Sequence, residues 1–165
     1  MEKNYLPIPY YIVSVEQHSN IKKELLTYID QAEFQSCDEI TKTDFHLKKQ
    51  QDYQRFVIPY ILNAIRNVFQ NSQIKILDCW FQQYQKYSFH PFHSHECEWA
   101  CVYYVDLPAG SKGTVFKDYV SNTEIKTAVV EGDVLIFPGW IKHKSPPNKG
   151  SDTKSIVALN FEITA

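Results

Sequence analysis

Apolar residues recur every three to four positions through much of the first part of the chain. This spacing predicts an amphipathic helix over residues 20–33, with Ser19-Asn20 supplying its cap, and a longer helix over residues 49–70. Pro59 lies inside the second helix and should kink it or mark a boundary there. The polar residues 36–47 between the two show neither helical nor strand spacing.

The pattern changes after residue 72 to short apolar runs separated by turn residues. These runs are rich in Val, Ile, Phe and Tyr, and they predict strands at 73–85, 98–106, 113–117, 124–130, 133–138 and 154–163. Residues 10–15 predict one further strand ahead of the helices. Helices followed by many short strands favour a mainly β (α+β) sandwich or barrel with the helices packed outside.

Length and composition narrow the architecture and the class of protein. The 165 residues fit one domain, in which 1–72 would support a core formed by 73–165. The chain is 44% hydrophobic with a net charge of −2, so we expect a globular protein that does not bind nucleic acid. No apolar run approaches membrane-spanning length, no leader is evident, and the four cysteines form no Cys-x-x-Cys pair. We therefore expect a cytoplasmic protein with free thiols and no membrane association; a homodimer is compatible with the sequence.

Four of the six histidines fall in two short segments. The first segment reads His90-Pro91-Phe92-His93-Ser94-His95, and His143 follows the run Gly132 to Pro138. Residues two apart on a strand face the same side, so His93 and His95 can project together. With His143 they would form a three-histidine site for iron, zinc, copper or nickel that leaves coordination positions open.

Two barrel architectures have a histidine pair followed by a distant histidine. One is the cupin pattern, in which a glutamate follows the pair; Glu98 follows His95 at a gap one residue shorter than that pattern prefers. The other is the double-stranded β-helix of the iron(II)/2-oxoglutarate dioxygenases.

Residues 80–160 resemble the 2-oxoglutarate/iron(II) oxygenase family related to the prolyl 4-hydroxylases, small marine and phage-type members in particular. Tyr84 precedes His93 by nine residues, as a tyrosine precedes the first metal histidine of that family, and Lys154 follows His143 by eleven. Three further segments match in order: Val102 to Pro108, Gly132 to Pro138, and Leu159-Asn160-Phe161. The resemblance covers about half of the chain.

The resemblance implies a double-stranded β-helix (jelly-roll, cupin-like) barrel that uses Fe(II) and 2-oxoglutarate. It implies that His93, His95 and His143 hold the metal, and that no other residue acts directly in catalysis. Tyr84, Lys154 and Asn160 would bind the cosubstrate, with the Lys154 cation facing its far carboxylate. The remaining candidates, for contact with a small-molecule or protein side-chain substrate, are His90, Tyr104 and Trp140.

His95 is a departure from the family, which has His-x-Asp at this point. A carboxylate would balance part of the iron(II) charge, whereas three neutral imidazoles do not. Either His95 is itself a ligand, or Glu96 or Glu98 supplies the carboxylate, or His95 lies behind a water that completes the site. Strand alternation turns Glu96 away from His95, which favours His95.

Three functions therefore compete. The first is an iron(II)/2-oxoglutarate dioxygenase that hydroxylates an unidentified substrate. The second is a cupin-like three-histidine metalloprotein that does not use 2-oxoglutarate. The third is a non-catalytic jelly-roll binding module that has kept the scaffold without turnover.

Overall fold

The computed structural model describes residues 9–37, 39–47 and 49–164. Two helices and ten strands occur in these ranges. The helices are α1 (His18–Gln31) and α2 (Asp52–Val68). The strands are β1 (Tyr11–Ser14), β2 (Lys42–Thr43), β3 (Gln73–Tyr84), β4 (His90–His93), β5 (Trp99–Asp106), β6 (Val115–Asp118), β7 (Thr123–Lys126), β8 (Asp133–Pro138), β9 (His143–Ser145) and β10 (Lys154–Thr164).

The strands form two antiparallel sheets. The larger has the order β1-β8-β5-β10-β3-β2 and the smaller the order β4-β9-β6-β7. The architecture is the jelly roll of the double-stranded β-helix, which confirms the predicted fold class. Strands β1 and β2, from the first 72 residues, extend the larger sheet at its two edges.

The two faces of the larger sheet pack against different partners. On β5, Tyr103 and Val105 join the core formed with the two helices, whereas Val102 and Tyr104 join a second core toward the smaller sheet. This alternation follows from the two-residue period of a strand. Because both faces are covered, β5 reads in the sequence as an unbroken apolar run.

Both helices differ in detail from the prediction. Helix α1 begins at His18, and Gln17, not Ser19 or Asn20, occupies its N-cap. Helix α2 continues through Pro59, so no boundary occurs there. Its apolar face is buried against the sheet, and this burial outweighs the single backbone hydrogen bond that proline removes. In the part of the chain that is described, neither helix is long and apolar enough to cross a membrane.

Candidate metal centre

His93, His95 and His143 converge in the space between the two sheets. His93 ends β4 and is paired with His143 on β9, while the loop after β4 places His95 with its backbone N–H donating to the Gly139 carbonyl oxygen at 2.8 Å. One ring nitrogen from each residue lies within 4.8 Å of the other two. Three imidazoles at this separation can bind one transition-metal ion and leave part of its coordination sphere free.

Backbone contacts fix the orientation of two of these rings. Nδ1 of His93 lies 2.8 Å from the Pro91 carbonyl oxygen, and Nδ1 of His143 lies 2.8 Å from the Ile141 carbonyl oxygen. Because a carbonyl oxygen only accepts, each Nδ1 carries the proton and donates it. The lone pair is then on Nε2, which is the protonation state that a metal ligand needs.

Burial keeps the cluster uncharged at neutral pH. It lowers the pKa of His143 to about 3 and that of His95 to about 4, and it also lowers the pKa of His93. Neighbouring histidines add to the effect for His143 and His95, since two cations in one cavity repel each other. The three side chains therefore need to lose no proton before they bind a metal.

The two glutamates near the cluster point elsewhere. Glu96 and Glu98 are exposed and line a separate, open depression, and the Glu98 carboxylate accepts a hydrogen bond from the Ile163 backbone at 3.0 Å. Trp140 lines the same depression and is 59% exposed, so the structure does not bring it to the histidine cavity. The structure therefore sets His95, and neither glutamate, beside His93 and His143.

His90 lies against the cluster without being part of it. Its ring stacks on that of His93, with centroids 3.8 Å apart, and it lines the same cavity. Its Nδ1 is 3.5 Å from Nε2 of Gln82, which places it between the cluster and β3. Tyr104 is fully buried, and its hydroxyl is bound to the side chain and backbone of Thr114 at 2.8 and 2.9 Å.

Lys154 is a buried cation without an anion. Only 2% of it is exposed, and its ammonium donates to the Lys112 carbonyl oxygen at 2.8 Å and to Ser145 Oγ at 2.9 Å. No carboxylate pairs with it among the residues described, and burial lowers its pKa to about 7. Burying an unpaired ammonium costs free energy, and an anion bound beside it would offset that cost.

The sheet holds Lys154 near the metal cluster. Ser145, which accepts its hydrogen bond, is two residues after His143 on β9, about 7 Å along the strand. Tyr84 is the direct partner of Lys154 on β3, and its ring lies 5.2 Å from the ammonium. Ser145 thus connects the Lys154 ammonium to the strand that carries His143.

Asn160 lies further along β10, past the middle of the strand. Six residues separate it from Lys154, about 20 Å along the strand, so the two cannot hold the same carboxylate. Its Nδ2 lies 3.4 Å from Asp78, whereas its buried Oδ1 has no partner among the described residues, as is also true of Trp80 Nε1. Trp80 lies beside His95, with ring centroids 5.6 Å apart.

Sequence patterns alone missed several residues that surround the cluster. Trp80 and Gln82 share the cavity face of β3 with Tyr84, and that two-residue alternation was a usable signal. Phe45 and His46 come close to Trp80 from the irregular segment between the helices, for which the sequence carries no comparable signal.

No protein-family model matches the sequence, and no curated protein matches it either. The fold, by contrast, is similar to that of several solved proteins. An oxidoreductase of the 2OG-Fe(II) oxygenase family from Burkholderia pseudomallei superposes with a TM-score of 0.72 at 10% identity, over 93% of this chain and 84% of that one. HygX from Streptomyces hygroscopicus, solved with nickel and 2-oxoglutarate bound, gives 0.73 at 11%, over 93% and 82%.

A prolyl-4-hydroxylase from Pseudomonas putida covers nearly the whole of both chains. Its TM-score is 0.64 at 13% identity, over 96% of this chain and 94% of that one. At identities this low the similarity establishes the double-stranded β-helix fold. The activity has to be argued from the side chains of this chain.

Proposed function

We propose that the protein is an iron(II)- and 2-oxoglutarate-dependent oxygenase, similar to the prolyl 4-hydroxylases, that hydroxylates a small molecule or a protein side chain. The observation that carries the proposal is the buried Lys154 ammonium. It pairs with no carboxylate of the described residues, and it donates to Ser145, two residues after His143 of the three converging histidines. A metal site alone would not need this cation. A site for a metal-chelating dicarboxylate would.

Charge balance supports a dianionic cosubstrate. Three neutral imidazoles leave the two positive charges of iron(II) uncompensated, and Lys154 adds a third within the same buried region. A dicarboxylate removes two of these charges. With His95 in place of the carboxylate ligand found in related oxygenases, one more positive charge is left uncompensated. An anionic ligand is therefore favoured more strongly here than at a site with a carboxylate ligand.

Different residues would bind the metal and the cosubstrate. His93, His95 and His143 would hold iron(II), which when bound supplies oxygen activation coupled to oxidation of 2-oxoglutarate to succinate and carbon dioxide. Lys154 and Ser145 would bind the far carboxylate. Tyr84 would add a hydrogen bond, which is supported by its ring lying 5.2 Å from the Lys154 ammonium. Phe137 and Ile156 add apolar walls to the same cavity, and the Phe137 ring lies 4.6 Å from that of His143.

Anaerobic titration of the protein with iron(II) and 2-oxoglutarate tests the proposal. A chelated keto acid gives a weak visible charge-transfer band, which we expect in the wild type and not in Lys154→Met. The matched control ligand is 2-oxopentanoate, which has the same chain length but lacks the far carboxylate. Lys154→Met should lose the preference for 2-oxoglutarate and bind 2-oxopentanoate at least as tightly, because the far carboxylate of 2-oxoglutarate is then buried without a cation.

Two results would contradict the proposal. Tight metal binding without any band would favour the cupin-like metalloprotein, although the position of Glu98 outside the cavity counts against that alternative. A band without succinate formation in the presence of oxygen and a broad set of substrates would favour a binding module.

A further inference from the structure

A cleft of about 360 Å³ opens directly beside the histidine cavity. Trp80, Gln82, His90, His93 and His95 line both spaces. The opposite wall comes from the segment between the two helices, and we call this space the entrance cleft. Any group bound in it lies next to the proposed metal.

A buried carboxylate fixes the wall of the entrance cleft. Asp44 accepts hydrogen bonds from the Phe81 backbone N–H at 2.8 Å, from the Tyr53 hydroxyl at 2.6 Å and from Gln51 Nε2 at 2.8 Å. Three donors satisfy the carboxylate without a cation. The backbone that leads into Phe45 is thereby tied to β3 and to helix α2, so the wall is formed before any ligand arrives.

Aromatic rings form the outer part of this wall. Phe45 meets Trp80 edge to face, with centroids 5.0 Å apart, and His46 lies 5.0 Å from Phe45. Phe45 nevertheless remains 48% exposed. A rigidly placed aromatic ring that is half open to solvent beside a cavity offers apolar area that a ring-bearing ligand can cover.

The charges along the entrance cleft disfavour an anion. Of the cleft-lining residues that are described, none is Lys or Arg, and Glu39 is the sole carboxylate. An anion would lose its water there without gaining a cation. Lys154 does not line the cleft; it donates to Ser145, which lines the neighbouring histidine cavity, so the proposed anion site is separate from the entrance cleft.

One polar group at the floor of the entrance cleft is oriented to donate. The Tyr84 hydroxyl donates to Gln82 Oε1 at 2.6 Å, which fixes the amide and leaves Nε2 directed toward His90. The Thr43 hydroxyl is already engaged, because it donates to the Phe81 carbonyl oxygen and accepts from the Phe45 backbone. Gln82 is therefore a side chain of the cleft that can meet a hydrogen-bond acceptor of a ligand.

We infer that the entrance cleft binds an uncharged, ring-bearing group that carries a hydrogen-bond acceptor. The group stacks against Phe45 and Trp80 and accepts from Gln82. That this ligand is the substrate rests on the proposed oxygenase function. The chemical class of the ligand is argued from the cleft alone.

Three fluorinated probes of equal size but different charge test the inference. We would titrate the metal-free protein with para-fluorobenzamide, para-fluorobenzoate and para-fluorobenzylamine and follow binding by fluorine NMR. The amide should bind about tenfold or more tightly than the benzoate, because burying an unpaired carboxylate costs more than an aromatic contact returns. Phe45→Ala should weaken the amide about threefold to tenfold, with His46→Ala changing it in the same direction.

Tyr119→Ala is the matched control, since Tyr119 is an aromatic residue that is 65% exposed and lies outside the cleft. It should leave the affinity for the amide unchanged. Equal amide affinity in the wild type, Phe45→Ala and His46→Ala would overturn the inference. So would Phe45-dependent binding of the benzoate or the benzylamine at the affinity of the amide.

The proposed function and the cleft can fail separately. The probes are titrated without metal or keto acid, so Phe45-dependent amide binding supports the cleft even in a protein that gives no charge-transfer band. A protein that gives the band but binds no amide would refute the cleft and leave the oxygenase proposal intact.

Discussion

Lys22 and Lys154 differ in their charge partners: Lys22 is paired with two carboxylates, whereas Lys154 is buried and pairs with none among the described residues. Lys22, on helix α1, lies 2.8 Å from a Glu131 carboxylate oxygen and 3.1 Å from one of Asp106. Burial lowers its pKa, but the hydrogen bonds to both carboxylates outweigh burial, so the pKa is raised overall. Lys154 is more deeply buried and donates, within the described part of the chain, to neutral oxygens alone; burial lowers its pKa to about 7.

The difference separates a structural ion cluster from a proposed binding site. Lys22 joins α1 to Asp106 at the end of β5 and to Glu131, and these two carboxylates balance its charge. The buried charge of Lys154 should destabilise the ligand-free protein, and an anion at the proposed site should offset that cost. Burial of a charge without its partner is thus the stronger indication of function.

The largest effect should come from Lys154→Met. Removing the cation leaves the far carboxylate of 2-oxoglutarate buried and unpaired, which should weaken its binding by about a hundredfold or more. The same substitution should raise the stability of the ligand-free protein by roughly 1–4 kcal/mol, because an apolar side chain replaces a buried charge. Calorimetric titration and urea unfolding measure the two quantities.

Lys22→Met is the matched control for this substitution. It should leave the affinity for 2-oxoglutarate unchanged. Loss of keto-acid affinity in Lys22→Met comparable to that in Lys154→Met would show that both lysines act through general stability, and the contrast between them would disappear.

The next effect is a pH dependence of cosubstrate binding. In the ligand-free protein Lys154 loses its proton as the pH rises through about 7, and the neutral amine cannot balance a carboxylate. The affinity for 2-oxoglutarate should therefore fall above pH 7, by up to about tenfold per pH unit until the pKa of the bound state is reached. Calorimetry between pH 6 and pH 9 measures it, and a flat profile in the wild type would contradict the role of Lys154.

Lys22→Met should itself have a moderate effect on stability. It leaves Asp106 and Glu131 without their cation, and we expect a loss of about 1 kcal/mol because the cluster is partly exposed to solvent. The loss should shrink when the double variant Lys22→Met/Glu131→Gln is compared with Glu131→Gln alone. An undiminished loss would mean that packing of the lysine stem, not charge, is responsible.

The smallest effect concerns the single proton of the Tyr84 hydroxyl. In the ligand-free protein this proton goes to Gln82, and the far carboxylate of 2-oxoglutarate would compete for it. Tyr84→Phe should weaken 2-oxoglutarate about fivefold, whereas Gln82→Leu should not weaken it, since the hydroxyl is then free for the ligand. Weaker binding in Gln82→Leu would show that Tyr84 keeps its bond to Gln82 in the complex.

The sequence predicted the parts of the fold that periodicity encodes. Strands β3, β5, β8 and β10 and both helices were recognisable because their apolar positions repeat over at least six residues. Strands β4 and β9 are three or four residues long and contain histidines in place of apolar residues, so no periodic signal marked them. They nevertheless form the ladder that pairs His93 with His143.

The site depends on contacts that are distant in the sequence, and these were harder to predict. That Lys154 meets Tyr84 follows from the pairing of β10 with β3, which single-sequence patterns do not specify. Family resemblance supplied that pair instead. Sequence patterns did not reveal the wall of the entrance cleft, because the buried Asp44 carboxylate holds it through contacts that are distant in the sequence. Trp140 is the reverse case, since it is an aromatic residue near His143 in the sequence but lines another depression.

Asp44 also has a consequence for how such a protein can diversify. Its bonds anchor the backbone before Phe45, while the side chains of Phe45 and His46 themselves touch neither the histidines of the cluster nor Lys154. Under the proposed function, substitutions at those two positions would alter the ligand of the entrance cleft and leave the metal ligands unchanged. New specificities could then evolve through two exposed rings on a segment that carries none of the three histidines.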